Sequence, residues 1–198
     1  MALPWDFRPL EGPRVSLDLL RPDDFDALYA IQSDPDVCRY LLYEPRSAEK
    51  VHEVLERDAA ATRLAEPEDF VQPAIRDASG QLIGTMYFKL ASVEDKTGEI
   101  GWLLDPRFQG QGYAREAAAL LLDLAFGELG LHRVYAELDP RNDGSVALCR
   151  RLGMKHEAHF REHMWFKGDW ADTGIYAILE RECLTDRGPG RRSAESSR

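Results

Sequence analysis

The chain has few cysteines and no long apolar run. Its three cysteines, Cys38, Cys149 and Cys183, stand at spacings typical of neither a disulfide framework nor a metal site. We therefore expect reduced thiols. No stretch of the 198 residues is apolar over the length that a membrane-spanning helix needs. The first ten residues lack the basic start and apolar centre of a secretion signal. These absences predict a cytoplasmic protein with no membrane partner.

Positive charge is also scarce. The chain has 25 Lys and Arg residues against 35 Asp and Glu residues, which gives a formal charge of −10. Segment 187–198 has four arginines and one glutamate, so the remainder carries −13. A surface of this sign disfavours nucleic acid as a partner. It suits cationic acceptors such as amine-bearing peptides or aminoglycosides, but acidity also serves solubility alone, and both explanations stay open.

The length and composition fit one domain. The chain is 198 residues long and 44% hydrophobic, enough to bury a single core. We assign residues 1–186 to this domain and predict that the Gly-, Ser- and Arg-rich segment 187–198 is a disordered tail. No internal repeat is visible.

The central segment 98–119 passes from a strand through a glycine-rich turn into a helix. Residues 99–104 alternate and then run apolar, as a half-buried strand does, and Pro106 ends that strand because it has no N–H to donate. From Ala114 onward, apolar residues recur three and four positions apart. This period predicts a helix that begins near Tyr113.

The turn before this helix suits an anion. Gly110 and Gly112 stand just ahead of the helix N-terminus, whose first N–H groups lack partners and carry the positive end of the helix dipole. Glycine lets a phosphate approach those donors closely. The loop and the first helical turn therefore predict a pyrophosphate cradle made of main-chain groups, and Arg115 is placed to add charge.

The spacing decides between nucleotide-binding motifs. A dinucleotide-binding loop needs a third glycine where this chain has Arg115, and a P-loop needs a Gly-Lys-Ser/Thr that is absent. The first motif is disfavoured and the second excluded. The pattern Gln109-x-x-Gly112-x-Ala114 resembles instead the acyl-coenzyme A loop of the GNAT N-acetyltransferases.

Three further blocks extend this resemblance. The chain resembles the RimJ/RimL branch, the N-terminal acetyltransferases of ribosomal proteins, in the order and spacing of four blocks, at residues 98–102, 109–117, 142–145 and 152–154. The resemblance covers about residues 14–183. It implies an α+β fold, the three-layer GNAT fold. A mixed, mostly antiparallel central sheet of about six to seven strands would be flanked by about four helices. It also implies acetyl-coenzyme A as cosubstrate.

Local patterns give the other elements. Strands are expected at 15–20, 70–75, 82–90, 132–138, 156–166 and 171–182. Helices are expected at 25–32 and 143–152, and a further helix should begin after Ser47 as its N-cap and continue toward residue 64. The middle of the chain is an antiparallel meander, which argues against a doubly wound nucleotide fold. Strand 132–138 follows a helical crossover, so it should run parallel to strand 99–104, with the ligand at the carboxyl ends of both.

The resemblance implies which residues hold the cofactor. The main chain of Leu103 and Leu104 would pair with pantetheine, and Asn142 would bond its amide. The pyrophosphate would lie on Gln109, Gly110, Gln111, Gly112, Tyr113, Ala114 and Arg115. The alternatives are hydrophobic core for the two leucines and an ordinary turn for Asn142. The phosphates could be reached by Arg107, Arg115, Arg150 and Arg151, but solvated helix and loop cations explain each of them equally well, and Arg115 in the first helical turn is the best placed.

The chemistry of amine acetylation needs a base and a proton for the departing sulfur. By resemblance Glu99 is the general base; the alternative is a strand carboxylate paired with a neighbour. Many relatives have a tyrosine seven residues after the asparagine, but this chain has Cys149, for which a small buried hydrophobe is the preferred interpretation. Ser145 becomes the candidate proton donor, and water is the other possibility.

These observations predict a function. The chain is expected to transfer acetyl from acetyl-coenzyme A to a primary amine, by direct attack in a ternary complex, with a protein N-terminal amine as the first choice. An aminoglycoside or polyamine acetyltransferase and a non-catalytic acyl-coenzyme A binding module are the alternatives. We expect a monomer or homodimer. Tyr40 and Tyr43 fall in the region that overhangs the acceptor in the family, although for either one alone an ordinary half-buried anchor is the preferred interpretation.

No metal is expected. His156, His159 and His163 are close in sequence, but strand geometry should turn His156 and His159 to opposite faces of their strand.

Overall fold

The computed structural model describes residues 2–185. The strands are β1 (Trp5–Asp6), β2 (Leu10–Glu11), β3 (Val15–Asp18), β4 (Arg63–Leu64), β5 (Phe70–Val71), β6 (Ala74–Asp77), β7 (Leu82–Ser92), β8 (Thr97–Leu104), β9 (Arg133–Leu138), β10 (Lys155–Phe166) and β11 (Asp169–Leu179). The helices are α1 (Phe25–Gln32), α2 (Pro35–Cys38), α3 (Ala48–Ala60), α4 (Tyr113–Asp123), α5 (Asp143–Arg151) and α6 (Glu180–Thr185). The tail predicted at 187–198 lies outside the described residues.

Nine strands form one mixed sheet in the order β10-β11-β9-β8-β7-β6-β3-β2, with β5 beside β7, while β1 and β4 form a separate pair. Every neighbouring pair is antiparallel except β8 and β9, which are parallel as predicted. The fold is α+β, as expected. The sheet exceeds the expected six to seven strands because β2 is only two residues long and leaves no periodic signal, and because the strand predicted at 70–75 is two strands, β5 and β6. The four-residue helix α2 was missed because it is also short. The first residues of α6 were wrongly assigned to the strand predicted at 171–182, which ends at Leu179.

Two hydrophobic clusters cover the two faces of the sheet. The larger one joins α4 and α5 to the sheet, with Leu121, Cys149 and Ile100 among its members. The smaller one joins α1 and α3 to the other face, where Leu28 and Val51 pack. The result is the predicted three-layer arrangement, and the segment from β8 to α4 passes between its layers.

Two local expectations were wrong. The strand predicted at 70–75 is interrupted at Pro73, which has no N–H to donate, so β5 and β6 follow one another along β7. A register shift in β10 brings the rings of His156 and His159 to 6.3 Å from each other, where regular strand geometry would have turned them apart.

Within residues 2–185, none of the helices has the length and apolar character to cross a bilayer.

Candidate active site

The strands β8 and β9 separate at Glu99. They pair over three residues only, ending with Glu99 opposite Tyr135. Both strands continue without pairing to one another, β8 as far as Leu104 and β9 as far as Leu138. Since β8 remains paired with β7 along its length, the unpaired backbone of β8 faces only the gap toward β9.

The orientation of the peptide groups in this gap follows from one hydrogen bond. Asp105 N–H donates to the Ile83 carbonyl at 2.9 Å, so it points toward β7. Successive N–H groups of a strand point to opposite sides, so those of Leu104 and Trp102 point into the gap. Main-chain groups left open in this way can pair with an extended ligand as an added strand would.

The two leucines predicted to hold pantetheine are therefore not equivalent. Leu104 presents its N–H to the gap, and its carbonyl accepts a hydrogen bond of 3.3 Å from Gln109 Nε2. Leu103 directs its main chain toward β7 but lines the same cleft. Their side chains pack in different hydrophobic clusters, Leu104 in the larger and Leu103 against the smaller. The role of both in holding pantetheine stays a prediction.

The glycine-rich turn has the shape of an anion cradle. Gly110 and Gly112 have φ of +73° and +86°, in the left-handed region that glycine adopts without strain. Gly112 is the N-cap of α4, and the first helical hydrogen bond runs from Glu116 N–H to the Gly112 carbonyl at 3.1 Å. The N–H groups of Tyr113, Ala114 and Arg115 thus have no helical partner. A side chain at position 110 would meet nothing within 4 Å, so the approach is open and the residues fit a pyrophosphate.

Arg14 and Glu116 hold this turn in place. The Arg14 guanidinium donates from Nη1 to the Gln111 carbonyl at 3.1 Å and from Nε to Glu116 Oε2 at 2.9 Å. It also lies over the Tyr113 ring, 4.8 Å from its centroid. The backbone N–H groups of Arg14 and Val15 donate to Glu116 Oε1 at 2.6 and 3.2 Å. One half-buried carboxylate therefore fixes the start of α4 to the start of β3.

This carboxylate should make stability depend on pH. Burial alone would raise the pKa of Glu116, but the hydrogen bonds from Arg14 and Val15 outweigh burial, and the pKa is lowered. A carboxyl with a lowered folded pKa adds stability above its unfolded pKa, near 4.3, and this is lost as pH falls through the folded value. We expect Glu116→Gln to reduce the free energy of unfolding by about 1–2 kcal/mol at pH 7, with the deficit shrinking below about pH 4.

Urea unfolding of both proteins between pH 3 and pH 7 measures this difference. Glu128→Gln is the control, because Glu128 pairs with Arg8 at the surface and should contribute at most about 1 kcal/mol. A Glu116→Gln deficit that stays constant over the whole range would contradict the assignment.

On the face of the sheet away from α4, a pocket of about 270 Å³ opens beside Glu99. Tyr40, Tyr43 and Tyr87 line it, together with the carboxylates of Glu99 and Glu137. We call it the acceptor pocket. The cleft on the glycine-loop side, of about 520 Å³, is lined by residues 109–110, 112–115 and 142–145, and we call it the cofactor cleft.

Glu99 belongs to a row of three residues across three strands. Lys89 on β7 lies opposite Glu99 and Tyr135 on β9 lies opposite it on the other side. Glu99 Oε2 is 3.0 Å from Lys89 Nζ and accepts a hydrogen bond of 3.1 Å from the Tyr135 hydroxyl. The carboxylate is thus paired, as the alternative interpretation supposed, and yet 21% of its side chain is exposed and it lines the acceptor pocket. Its role as base stays a prediction.

Glu99 keeps its two partners protonated. Burial alone would lower the pKa of Lys89, but hydrogen bonding to Glu99 and its negative charge raise it above the ordinary value. Burial, followed by the charge of Glu99, raises the pKa of Tyr135 to about 12. Counting the register of the hairpin could have identified Lys89 from the sequence. Tyr135 could not be placed without knowing where β9 joins the sheet.

The first turn of α5 brings Asn142 and Ser145 to both cavities. Asn142 Oδ1 caps the helix by accepting from Ser145 N–H at 3.0 Å, which leaves its amide NH₂ for a ligand. Ser145 Oγ accepts a hydrogen bond of 3.1 Å from Trp102 Nε1. Cys149 is fully buried, as predicted, and burial raises its pKa to about 12. It lines neither cavity.

The predicted cations divide into two groups. Arg115 and Arg151 line the cofactor cleft. Arg107 instead bonds the carboxylate of Asp105, with its Nη2 2.6 Å from Oδ2.

This geometry agrees with a sequence profile described as the acetyltransferase (GNAT) domain, which matches residues 14–155. The chain belongs to the GNAT acetyltransferases. As a member of this family, it is an acyltransferase, and GNAT acetyltransferases use acetyl-coenzyme A.

Several GNAT proteins are similar to the chain. The uncharacterised N-acetyltransferase YnaD of Bacillus subtilis is 34% identical over 161 residues, which are 80% of this chain and 89% of YnaD. The crystal structure of a GNAT acetyltransferase from Bacillus anthracis superposes with a TM-score of 0.79 at 27% identity, covering 88% of this chain and all of that one. Spermidine N-acetyltransferase from Vibrio cholerae, solved with coenzyme A and spermine, superposes with a TM-score of 0.73 at 23% identity, covering 87% and 99%.

Proposed function

We propose that this enzyme acetylates a primary amine in a ternary complex, and that its acceptor is the α-amine of a protein N-terminus. The observation that carries the proposal is the gap between β8 and β9, where the cofactor cleft and the acceptor pocket meet next to Glu99. At this place an amine in the acceptor pocket can reach a thioester held in the cofactor cleft.

The residues around the gap would have different roles in the reaction. Acetyl-coenzyme A supplies an activated acetyl group as a thioester. The N–H groups from Gly112 to Arg115 would hold its pyrophosphate, and the Asn142 amide together with the open edge of β8 would hold pantetheine. Glu99 would accept the proton of the incoming ammonium, either directly or through water. The same open N–H groups of β8 are placed to polarise the acetyl carbonyl.

The acceptor pocket suits an ammonium group. Glu99, Glu137 and Asp139 line it. Glu99 is paired with Lys89 and Asp139 with Arg141, at 3.0 and 2.7 Å, so among the described residues Glu137 is the carboxylate of this pocket without an ion pair, and the group keeps a net negative charge. Its negative potential would draw in a cation, while the tyrosine rings offer π faces. An N-terminal α-amine has a reference pKa of about 8, so a base need only shift its equilibrium modestly near neutral pH.

A neighbouring cavity favours a peptide over a polyamine. It measures about 440 Å³ and is also lined by apolar Met164 and Phe166. It shares five residues with the acceptor pocket, namely Tyr40, Leu41, Glu137, Leu138 and Asp139. Its four carboxylates are offset by three cations, which are Arg39, Arg141 and Lys167. The residues after a peptide N-terminus could lie there, whereas the further ammonium groups of a polyamine would gain little.

Polyamine acetylation is the second candidate. The three carboxylates of the acceptor pocket support it, as do the relative named spermidine N(1)-acetyltransferase, 24% identical over 175 residues, and the spermine bound in that relative's structure.

A panel assay distinguishes these functions. Release of free coenzyme A is measured with peptides bearing a free or a formylated N-terminus, with spermidine and with aminoglycosides, and mass spectrometry locates the acetyl group. We expect acetylation of the free α-amine and none of the formylated peptide. Exclusive acetylation of spermidine would establish the second candidate. Tight binding of acetyl-coenzyme A without acetylation of any amine would indicate a binding module instead.

A further inference from the structure

The reacting thioester is confined to the junction of two cavities. Six residues line both the cofactor cleft and the acceptor pocket, namely Tyr40, Leu41, Trp102, Leu103, Asn142 and Ser145. The acetyl carbon has to meet an amine from one side while its sulfur remains attached to the cofactor on the other. The side chains of this set are therefore the ones placed to reach both the acetyl carbon and its sulfur.

Two of the six carry a hydroxyl, Tyr40 and Ser145. A phenol is a stronger acid than an aliphatic alcohol and so a better match for a departing thiolate. Ser145 Oγ accepts a hydrogen bond from Trp102 Nε1 and keeps its own proton, so acidity is what separates the two hydroxyls. Within residues 2–185, no hydrogen bond engages the Tyr40 hydroxyl, and the Arg39 guanidinium lies 6.0 Å from the centre of its ring. The Tyr40 proton is therefore free to be donated.

The segment that carries Tyr40 is anchored at its base. Tyr40 follows α2, which Asp34 caps by accepting from Asp36 N–H at 2.8 Å. At the other end of α2, the ammonium of Lys167, from the turn between β10 and β11, donates to the Cys38 carbonyl at 2.5 Å. These contacts fix the entrance of the loop that reaches over the junction.

The other tyrosines near the site are differently placed. Tyr43 lines the acceptor pocket without reaching the cofactor cleft, and the Arg46 guanidinium lies 3.7 Å from the centre of its ring. Tyr135 is committed to Glu99. Of Tyr40, Tyr43 and Tyr135, only Tyr40 lines both cavities.

We propose that Tyr40 is the general acid that protonates the sulfur of coenzyme A. The inference rests on the proposed amine acetylation and adds a catalytic residue to it. In many relatives a tyrosine stands at the position of Cys149, but this thiol is buried. Protonation of the sulfur is therefore assigned to Tyr40, in the segment that follows α2.

The step balances as follows. Glu99 takes one proton from the ammonium, and the nitrogen lone pair then forms the C–N bond. When the C–S bond breaks, its electron pair stays on sulfur, which receives the Tyr40 proton and becomes a thiol. The nitrogen loses its second proton to water, and the phenolate regains a proton from water. One ammonium and one thioester become one amide, one thiol and one released proton.

The first test needs no acceptor. Coenzyme A bound to the full chain is titrated through the ultraviolet absorbance of its thiolate, in wild type, Tyr40→Phe and Tyr43→Phe. A hydrogen bond from Tyr40 to sulfur stabilises the thiolate, so Tyr40→Phe should raise the pKa of the bound thiol by about one unit, while Tyr43→Phe titrates like wild type. Equal titration of wild type and Tyr40→Phe would overturn the proposal.

The second test is kinetic. With the acceptor found by the panel, Tyr40→Phe should lower kcat by about 10-fold or more while KM for acetyl-coenzyme A stays unchanged. A loss of kcat and a thiol shift in Ser145→Ala instead of Tyr40→Phe would move the role to Ser145. A wild type that binds coenzyme A but acetylates no amine would refute the proposed function, whereas the thiol titration tests Tyr40 separately.

Discussion

Glu99→Gln should lower turnover by about 100-fold or more near neutral pH, because the amide cannot take the ammonium proton. The deficit should shrink as the pH rises above the pKa of the acceptor amine, since the amine then arrives neutral. The affinity for acetyl-coenzyme A should hardly change, because Glu99 lies in the acceptor pocket and is absent from the lining of the cofactor cleft. Initial rates from pH 6 to pH 10 provide the measurement.

The charge network makes this substitution interpretable. When Glu99 loses its charge, Lys89 retains Glu68, whose Oε2 lies 3.3 Å from its ammonium, so no isolated cation is left behind. Glu68→Gln is therefore the matched control. It removes the other carboxylate partner of Lys89, at a residue whose side chain is 72% exposed, and should leave turnover within about 2-fold of wild type. If Glu99→Gln turned over like wild type at every pH, Glu99 would be only the ion-pair partner of Lys89.

The central segment could be predicted because its signals are local. Pro106, the two glycines and the apolar period after Ala114 lie within a short stretch, and α4 begins at Tyr113 as they indicated. The helix at 25–32 and the Ser47 cap are local for the same reason and were also confirmed.

Features that depend on distant parts of the chain escaped prediction. Arg14 and Glu116 are 102 positions apart, and no periodicity connects them. The strands β8 and β9 stop pairing after Glu99, and the sequence pattern of one strand does not show where its pairing with another strand ends. Tyr40 was expected in the region over the acceptor but interpreted by preference as an ordinary half-buried anchor, because its position at both cavities depends on how the segment after α2 folds.

The pyrophosphate cradle yields the second large expected effect. Gly112→Val should weaken binding of acetyl-coenzyme A by about 100-fold or more, because the side chain would stand where the phosphate approaches the N–H groups of α4. A Cβ at this position would already come within 3.3 Å of Arg14 Nη2, so it would also disturb the contact that holds the turn. Gly112→Ala should give a smaller loss in the same direction. Calorimetric titration with acetyl-coenzyme A measures both.

Backbone strain has to be separated from blocked access. Gly112 has φ of +86°, so valine there is strained whatever the ligand does. Gly80 supplies the control, because it has φ of +85° in the turn between β6 and β7, and a Cβ there would meet nothing within 4 Å. Gly80→Val should match the loss of thermal stability in Gly112→Val but keep wild-type affinity for the cofactor. If a folded Gly112→Val bound acetyl-coenzyme A as tightly as Gly80→Val, the pyrophosphate would have to lie elsewhere than on this turn.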